Sequence, residues 1–225
     1  MAKITRLAII RCATEMFLEQ GYSATSPGMI SKALDISTGN LTYYFPTKEH
    51  LLCELVEMLC KYQWSLIEQE AAEGYSSIMA ICLELATMCS ACETDSVAKD
   101  FFLSAYSSPL CMDIIRKNDT ERAKKVFRQY RADWTDEQFA EAEILVSGIE
   151  YATLMTAGDP VALETRISGA LHNILGIFGI PEELRNRKLQ KVFAMDYRSL
   201  GKRILQEFRE YVQNENDHAL QLLLN

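Results

Sequence analysis

The sequence predicts an all-α fold, with a small N-terminal head of three helices joined rigidly to a larger helical body. Three observations carry this. Apolar residues recur at three- and four-residue spacing along almost the whole chain. No stretch alternates with period two between turn residues, so a sheet is not supported. The five prolines, Pro27, Pro46, Pro109, Pro160 and Pro181, stand as punctuation between periodic segments. With 48% hydrophobic and 24% charged residues, the chain has the balance of a core-forming protein, which excludes a disordered chain, a collagen-like fibre or a small disulfide scaffold. Its 225 residues suit one large domain, or a small one fused to a larger one. Residues 1–20 carry charges through their apolar stretch, unlike a secretory signal, and no uncharged apolar run reaches about 18 residues. The expected location is cytoplasmic, with no membrane partner.

The elements follow in order. In the first helix, 3–20, Ile9, Ala13, Met16 and Phe17 share one face, and Gly21 ends it where a glycine satisfies a left-handed C-terminal turn. Two very short helices come next: 26–34 with Thr25 as N-cap, and 38–45 with Ser37 as N-cap and Pro46 as terminator. Thr47 is expected to cap a long helix running to residue 70. Further helices are expected near 75–93, 95–106, 108–130, 135–157, 160–179, 182–194 and 196–214. Beyond Asn214 the chain turns polar and then ends in a short apolar tail, which the pattern alone does not assign. The head is placed at 1–52 and the body at 53–225.

Segment 25–52 concentrates the chemistry. Two helices of about eight residues joined by Asp35, Ile36 and Ser37 form a helix-turn-helix. Helices so short are marginal alone and must pack on something larger. Ile30, Leu34, Ile36, Leu41 and Phe45 supply the buried side. That leaves Thr38, Gly39, Asn40, Thr42, Tyr43 and Tyr44 partly outward, small or hydrogen-bonding groups suited to base edges and phosphates in a DNA major groove. Gly39 allows close backbone approach, and Lys48 adds a positive charge beside a helix N-terminus that already favours anions. The charge balance agrees. Net charge is -8 overall, yet residues 1–50 carry Lys3, Arg6, Arg11, Lys32 and Lys48 against Glu15, Glu19, Asp35 and Glu49, leaving the acidity to the body.

These residues resemble the DNA-binding domain of the TetR family of bacterial transcriptional regulators. The matching positions are Phe17, Gly21, Tyr22, Thr25, Ile30, Ser37, Gly39, Leu41, Tyr43, Phe45, Lys48, Glu49, Leu51 and Leu52, about a quarter of the chain at fixed spacing. Three departures stand out. Asp35 occupies a turn position usually held by glycine, Thr42 stands where a tyrosine often reaches phosphate, and Pro27 and Gly28 replace good helix formers. The resemblance implies a ligand-responsive regulator, more a repressor than an activator, that binds a palindromic operator in double-stranded DNA as a homodimer. Thr25, Ser37, Thr38, Gly39, Asn40, Thr42, Tyr43, Tyr44 and Lys48 would be its DNA contacts.

It also implies a four-helix dimer interface, best supplied by 135–157 and 160–179, and a pocket for a small-molecule effector. The second of these helices carries Ile167, Ala170, Leu171, Ile174, Leu175, Ile177 and Phe178 with Gly169 and Gly176, a surface that must be buried within the chain or against a partner. Trp64, Phe101, Phe102, Tyr106, Tyr151 and Met155 are the candidate pocket lining, each also a natural core residue. His172 reads first as a core histidine. The seven cysteines, including Cys89 and Cys92, fit core positions of a reduced chain better than a metal or redox site. Glu141 and Glu143 read as solvated helix surface. No phosphate loop, nucleophile elbow or metal-binding histidine pair is present, so neither enzymatic activity nor a cofactor is expected. The competing reading is a helical carrier or interaction module that does not bind DNA.

Overall fold

The computed structural model describes residues 2–72, 77–158 and 160–224, with side chains for 6–66, 77–158 and 160–222. Among them are eleven helices and no strand: α1 Ala2–Gln20, α2 Pro27–Ala33, α3 Thr38–Tyr44, α4 Lys48–Ala72, α5 Ser77–Thr94, α6 Ser96–Ser107, α7 Pro109–Phe127, α8 Asp136–Met155, α9 Leu163–Ile177, α10 Glu182–Ala194 and α11 Tyr197–Leu224. The boundaries follow local chemistry. Asp95 caps α6 by accepting from Val97 N and Ala98 N. Thr135 and Gln138 form a reciprocal capping box at the start of α8. The expected start of α5 at residue 75 lies outside the described residues, and α9 begins at Leu163 rather than at residue 160.

The head packs through Ile9, Ala13 and Phe17 of α1, Ile30 of α2, Leu41 and Phe45 around α3, and Leu51, Leu52 and Leu55 of α4, all buried. Their apolar core runs on without a break into that of the body. At the centre of the body lies α5. It is long and apolar enough to cross a membrane by composition, yet 72% of it is buried inside the protein, which accounts for its apolar character. α11 lies along it, closely enough that a Cβ on Gly201 would come within 2.9 Å of Thr87 O.

The last helix corrects the expectation that helix stops at residue 214: it continues to Leu224. The polar residues that suggested a tail are tied down. Asn216 is 4% exposed and donates to Thr14 Oγ1 at 3.0 Å, while Arg11 and Asp217 pair at 3.2 Å. α11 therefore reaches from the core of the body to the first helix of the head. A second tie comes from α6, where Asp100 accepts from the backbone and hydroxyl of Ser23 in the turn after α1.

Candidate nucleic-acid interface

The turn after α1 is shaped by Gly21 at φ 99°, in the left-handed region that favours glycine. Thr25 closes this turn instead of capping α2. Its hydroxyl donates to Gly21 O at 2.8 Å and accepts from Gln20 Nε2 at 3.1 Å, and the residue is 1% exposed. The cap of α2 is Ser26, whose Oγ accepts from Met29 N at 3.2 Å, with Pro27 in the first turn where its missing N–H is harmless. Thr25 was expected as cap and backbone contact; its hydroxyl is already used twice inside the protein.

Between α2 and α3 the chain reverses at Asp35, φ 51°, and Ile36 N donates to Ser31 O at 3.0 Å. Asp35, at the turn position usually held by glycine, thus adopts the left-handed conformation. Ser37 caps α3 as expected, accepting from Asn40 N at 3.1 Å. Leu41, buried, anchors the helix, and around it Ser37, Thr38, Gly39, Asn40, Thr42 and Tyr43 lie exposed, with Tyr44 half-buried. Tyr43 is 81% exposed, with its ring edge-on to Tyr44 at 5.1 Å between centroids. Thr42 Oγ1 donates to Gly39 O at 3.2 Å, leaving its lone pairs outward. A Cβ on Gly39 would meet nothing nearer than Ser37 Oγ at 3.9 Å, so the chain itself leaves that surface open.

Lys48 is placed differently from the expectation. Its ammonium donates to Tyr22 O at 2.8 Å and Thr25 O at 2.9 Å and lies 4.0 Å over the Tyr22 ring. Burial lowers its pKa. It clasps the start of α4 to the turn after α1, so its hydrogen-bonding capacity faces inward. Thr47, expected to cap α4, has its hydroxyl 2.8 Å from His50 Nδ1. An exposed cation not among the expected DNA contacts is Lys32 on α2, whose ammonium has no salt bridge or hydrogen bond among the described residues. Its signal was its place on α2, opposite the buried Ile30.

In the body, the six aromatic and methionine candidates do not gather in one place. A cavity of about 60 Å³ lies between α4, α5, α6 and α11, and of the six only Phe102 lines it, beside Leu59, Tyr62, Leu83, Met88 and Phe208. Trp64 donates to Asn118 Oδ1 at 2.7 Å, on the α7 side of α4. Phe101 is packed in the core against Phe102 and Phe208. Tyr106 donates to Glu150 Oε2 at 2.9 Å, Tyr151 is half-buried, and Met155 is 51% exposed. The residues missed belong to α11, whose amphipathic stripe Gly201, Ile204, Leu205 and Phe208 was legible as helix but not assigned to a cavity.

Two further expectations are corrected. Glu143 is 3% exposed, so it is not solvated surface, whereas Glu141 is exposed. His172 is half-buried on the outer side of α9 and not a core histidine, because Ile167, Ala170, Leu171, Ile174 and Leu175 already turn inward. The apolar stripe of α9 thus faces its own chain. Next to it, α8 turns Ile144, Leu145 and Met155 outward, each more than half exposed and at helical spacing on one face. All seven cysteines are free, and burial raises the thiol pKa of Cys92 to about 12 and that of Cys89 further. That environment opposes thiolate chemistry.

A family model described as bacterial regulatory proteins of the tetR family matches residues 9–55. The transcriptional regulator QacR of Staphylococcus aureus, described as HTH-type, is 44% identical over 50 residues, covering 22% of this chain and 27% of its own. The match thus spans about a quarter of that relative's length. Among solved structures, the TetR family protein CprB of S. coelicolor A3(2) is 22% identical, with 92% of this chain and 98% of that one covered and a TM-score of 0.46. GusR of Salmonella enterica is 21% identical, with 78% and 94% covered and a TM-score of 0.48. Residues 9–55, the head whose geometry is described above, thus match the N-terminal domain of the tetR family of bacterial regulatory proteins.

Proposed function

We propose that the protein is a cytoplasmic, non-enzymatic transcription regulator, a repressor, that binds a palindromic operator as a homodimer and releases it when a small molecule occupies the body. The observation that carries the reading is α3. Its one buried anchor, Leu41, holds a helix whose outer surface offers Thr38, Asn40, Thr42 and Tyr43 around an open Gly39. Such a surface suits major-groove docking, with hydroxyl and amide groups toward bases and phosphates. Ser37, Tyr44 and Lys32 would complete the phosphate contacts. Lys48 and Thr25 act at one remove, by fixing the turn against which α2 and α3 pack.

In this reading the head is 1–52 and the body 53–225. The outward face of α8, with the neighbouring small residues of α9, forms the dimer contact, since a contiguous apolar helix face is stable only when covered. Two heads would then meet successive major grooves about 34–36 Å apart. The apolar cavity beside α4 and α11 receives the effector. Both helices lead from that cavity to the head, α4 by continuing from α3 and α11 through Asn216 and Asp217. Occupancy would tilt the heads, so that both half-sites are no longer reached at once and bivalency is lost.

The test is a salt titration of binding to labelled duplex DNA. Wild type should lose affinity steeply as KCl rises. The double variant Asn40→Ala, Tyr43→Ala should lose binding while its melting temperature and dimer mass are unchanged. Undiminished binding by that variant, or none by wild type at low salt once co-purified ligand has been removed, would favour the helical carrier.

A further inference from the structure

Four carboxylates from three helices meet inside the body: Glu84 of α5, Asp119 of α7, and Glu143 and Glu150 of α8. Three of them have protein partners. Arg122, 4% exposed, pairs with Glu84 and, at 3.0 Å, with Asp119, and Glu150 accepts from Tyr106 Oη. Glu143 is different. It is 3% exposed, lines a cavity of about 30 Å³, and has no hydrogen-bond or ion-pair partner among the described residues. A carboxylate withdrawn from water without a partner is strongly disfavoured, so it either keeps its proton or requires a cation.

We propose that this cavity is the head-group site for an organic cation, a protonated amine whose ammonium group sits among Glu143, Glu150 and Glu84. The inference rests on the body being an effector-binding domain, and it names the chemical class of the effector. Glu84 lines both this cavity and the apolar one between α4, α5, α6 and α11, so the two cavities adjoin at one side chain, an acidic one beside an apolar one. An anion is disfavoured because the Nη groups of the local cation, Arg122, are already held by Glu84 and Asp119. A metal ion is disfavoured because no cluster among the described residues is arranged to hold one.

Proton bookkeeping gives the site a signature. Burial, together with neighbouring negative charge from Asp119, raises the Glu143 pKa to about 9 and that of Glu150 to about 8. The facing groups are Glu84 from α5, Tyr106 from α6, Asp119 and Arg122 from α7, and the two glutamates of α8 themselves. Near neutral pH the empty site therefore holds protons. An entering ammonium donates its N–H bonds to carboxylate oxygens, and the displaced carboxyl proton leaves to the buffer.

The experiment is titration calorimetry of the full chain with hexylammonium chloride at pH 7.5, against hexanol and hexanoate, in two buffers of different ionisation enthalpy. Hexylammonium should bind about tenfold or more tighter than hexanol and release about one proton per site. Glu143→Gln should remove most of that preference and the proton release while hexanol binding persists, and Glu150→Gln should act in the same direction. No binding of hexylammonium at millimolar concentration, equal affinity for hexanol, tighter binding of hexanoate, or an unaltered Glu143→Gln would each overturn the site. The readout contains no DNA, so failure here leaves the regulator reading intact. Conversely, amine binding by a protein that selects no DNA would sink that reading and not this one.

Discussion

Asp35, at φ 51°, holds the left-handed conformation that an L side chain adopts only at a penalty, and aspartate bears it better than most. Asp35→Gly should relieve that strain and raise stability by up to about 1 kcal/mol, measured by urea unfolding. Lys48 gives the opposite case. Lys48→Met leaves the carbonyls of Tyr22 and Thr25 without their donor and should lower stability by about 1–3 kcal/mol, whereas Tyr43→Ala, at an exposed position, should leave it unchanged. Any loss of DNA binding in Lys48→Met would then follow from the fold and not from a lost phosphate contact. Glu143 makes stability depend on pH. Its pKa is near 4.3 unfolded and about 9 folded, so its protonated form stabilises the fold fully at low pH, and that stabilisation is lost as pH rises toward 9. The melting temperature of wild type should fall relative to Glu143→Gln between pH 5.5 and 8.5; parallel curves would contradict the burial of an unpaired carboxyl.

Among the helices, the period of the apolar residues made nearly every one legible, because each buries one face against the same core. Caps were less legible. Thr25 and Ser26 are adjacent hydroxyls, and which one caps α2 depends on a hydrogen bond from Gln20 that a linear pattern does not contain. The length of α11 was hidden for a similar reason: Asn216 looks solvated until Thr14, far away in sequence, is seen to accept from it. The exposed residues of α3 follow directly from the positions of Leu41 and Phe45, while the inward turn of Lys48 depends on two carbonyls in another segment. α11 also sets a test of packing. Gly201→Ala would bring a Cβ to 2.9 Å from Thr87 O and 3.4 Å from Thr87 Cα, backbone atoms that cannot easily give way. It should destabilise the protein by about 1–3 kcal/mol by thermal unfolding.

For the molecule as a whole, the proposed dimer joins two heads, the α8 face and a cavity through α4 and α11. Glutamate at both Ile144 and Leu145 should place charge on the apolar face of α8 and give a folded monomer by sedimentation, with operator affinity reduced about a hundredfold or more as bivalency is lost. The alternation of buried and exposed residues on α8 was readable as a helix, but its outward stripe emerged only when α9 and α7 were seen to cover the other side. The measurement that bears most directly on the central claim is selection of binding sequences from a random duplex pool by ligand-free protein at low salt. The expected result is enrichment of a palindrome whose half-sites lie about one helical turn, or a small multiple of it, apart. Absence of any enriched sequence from well-folded dimer would contradict it.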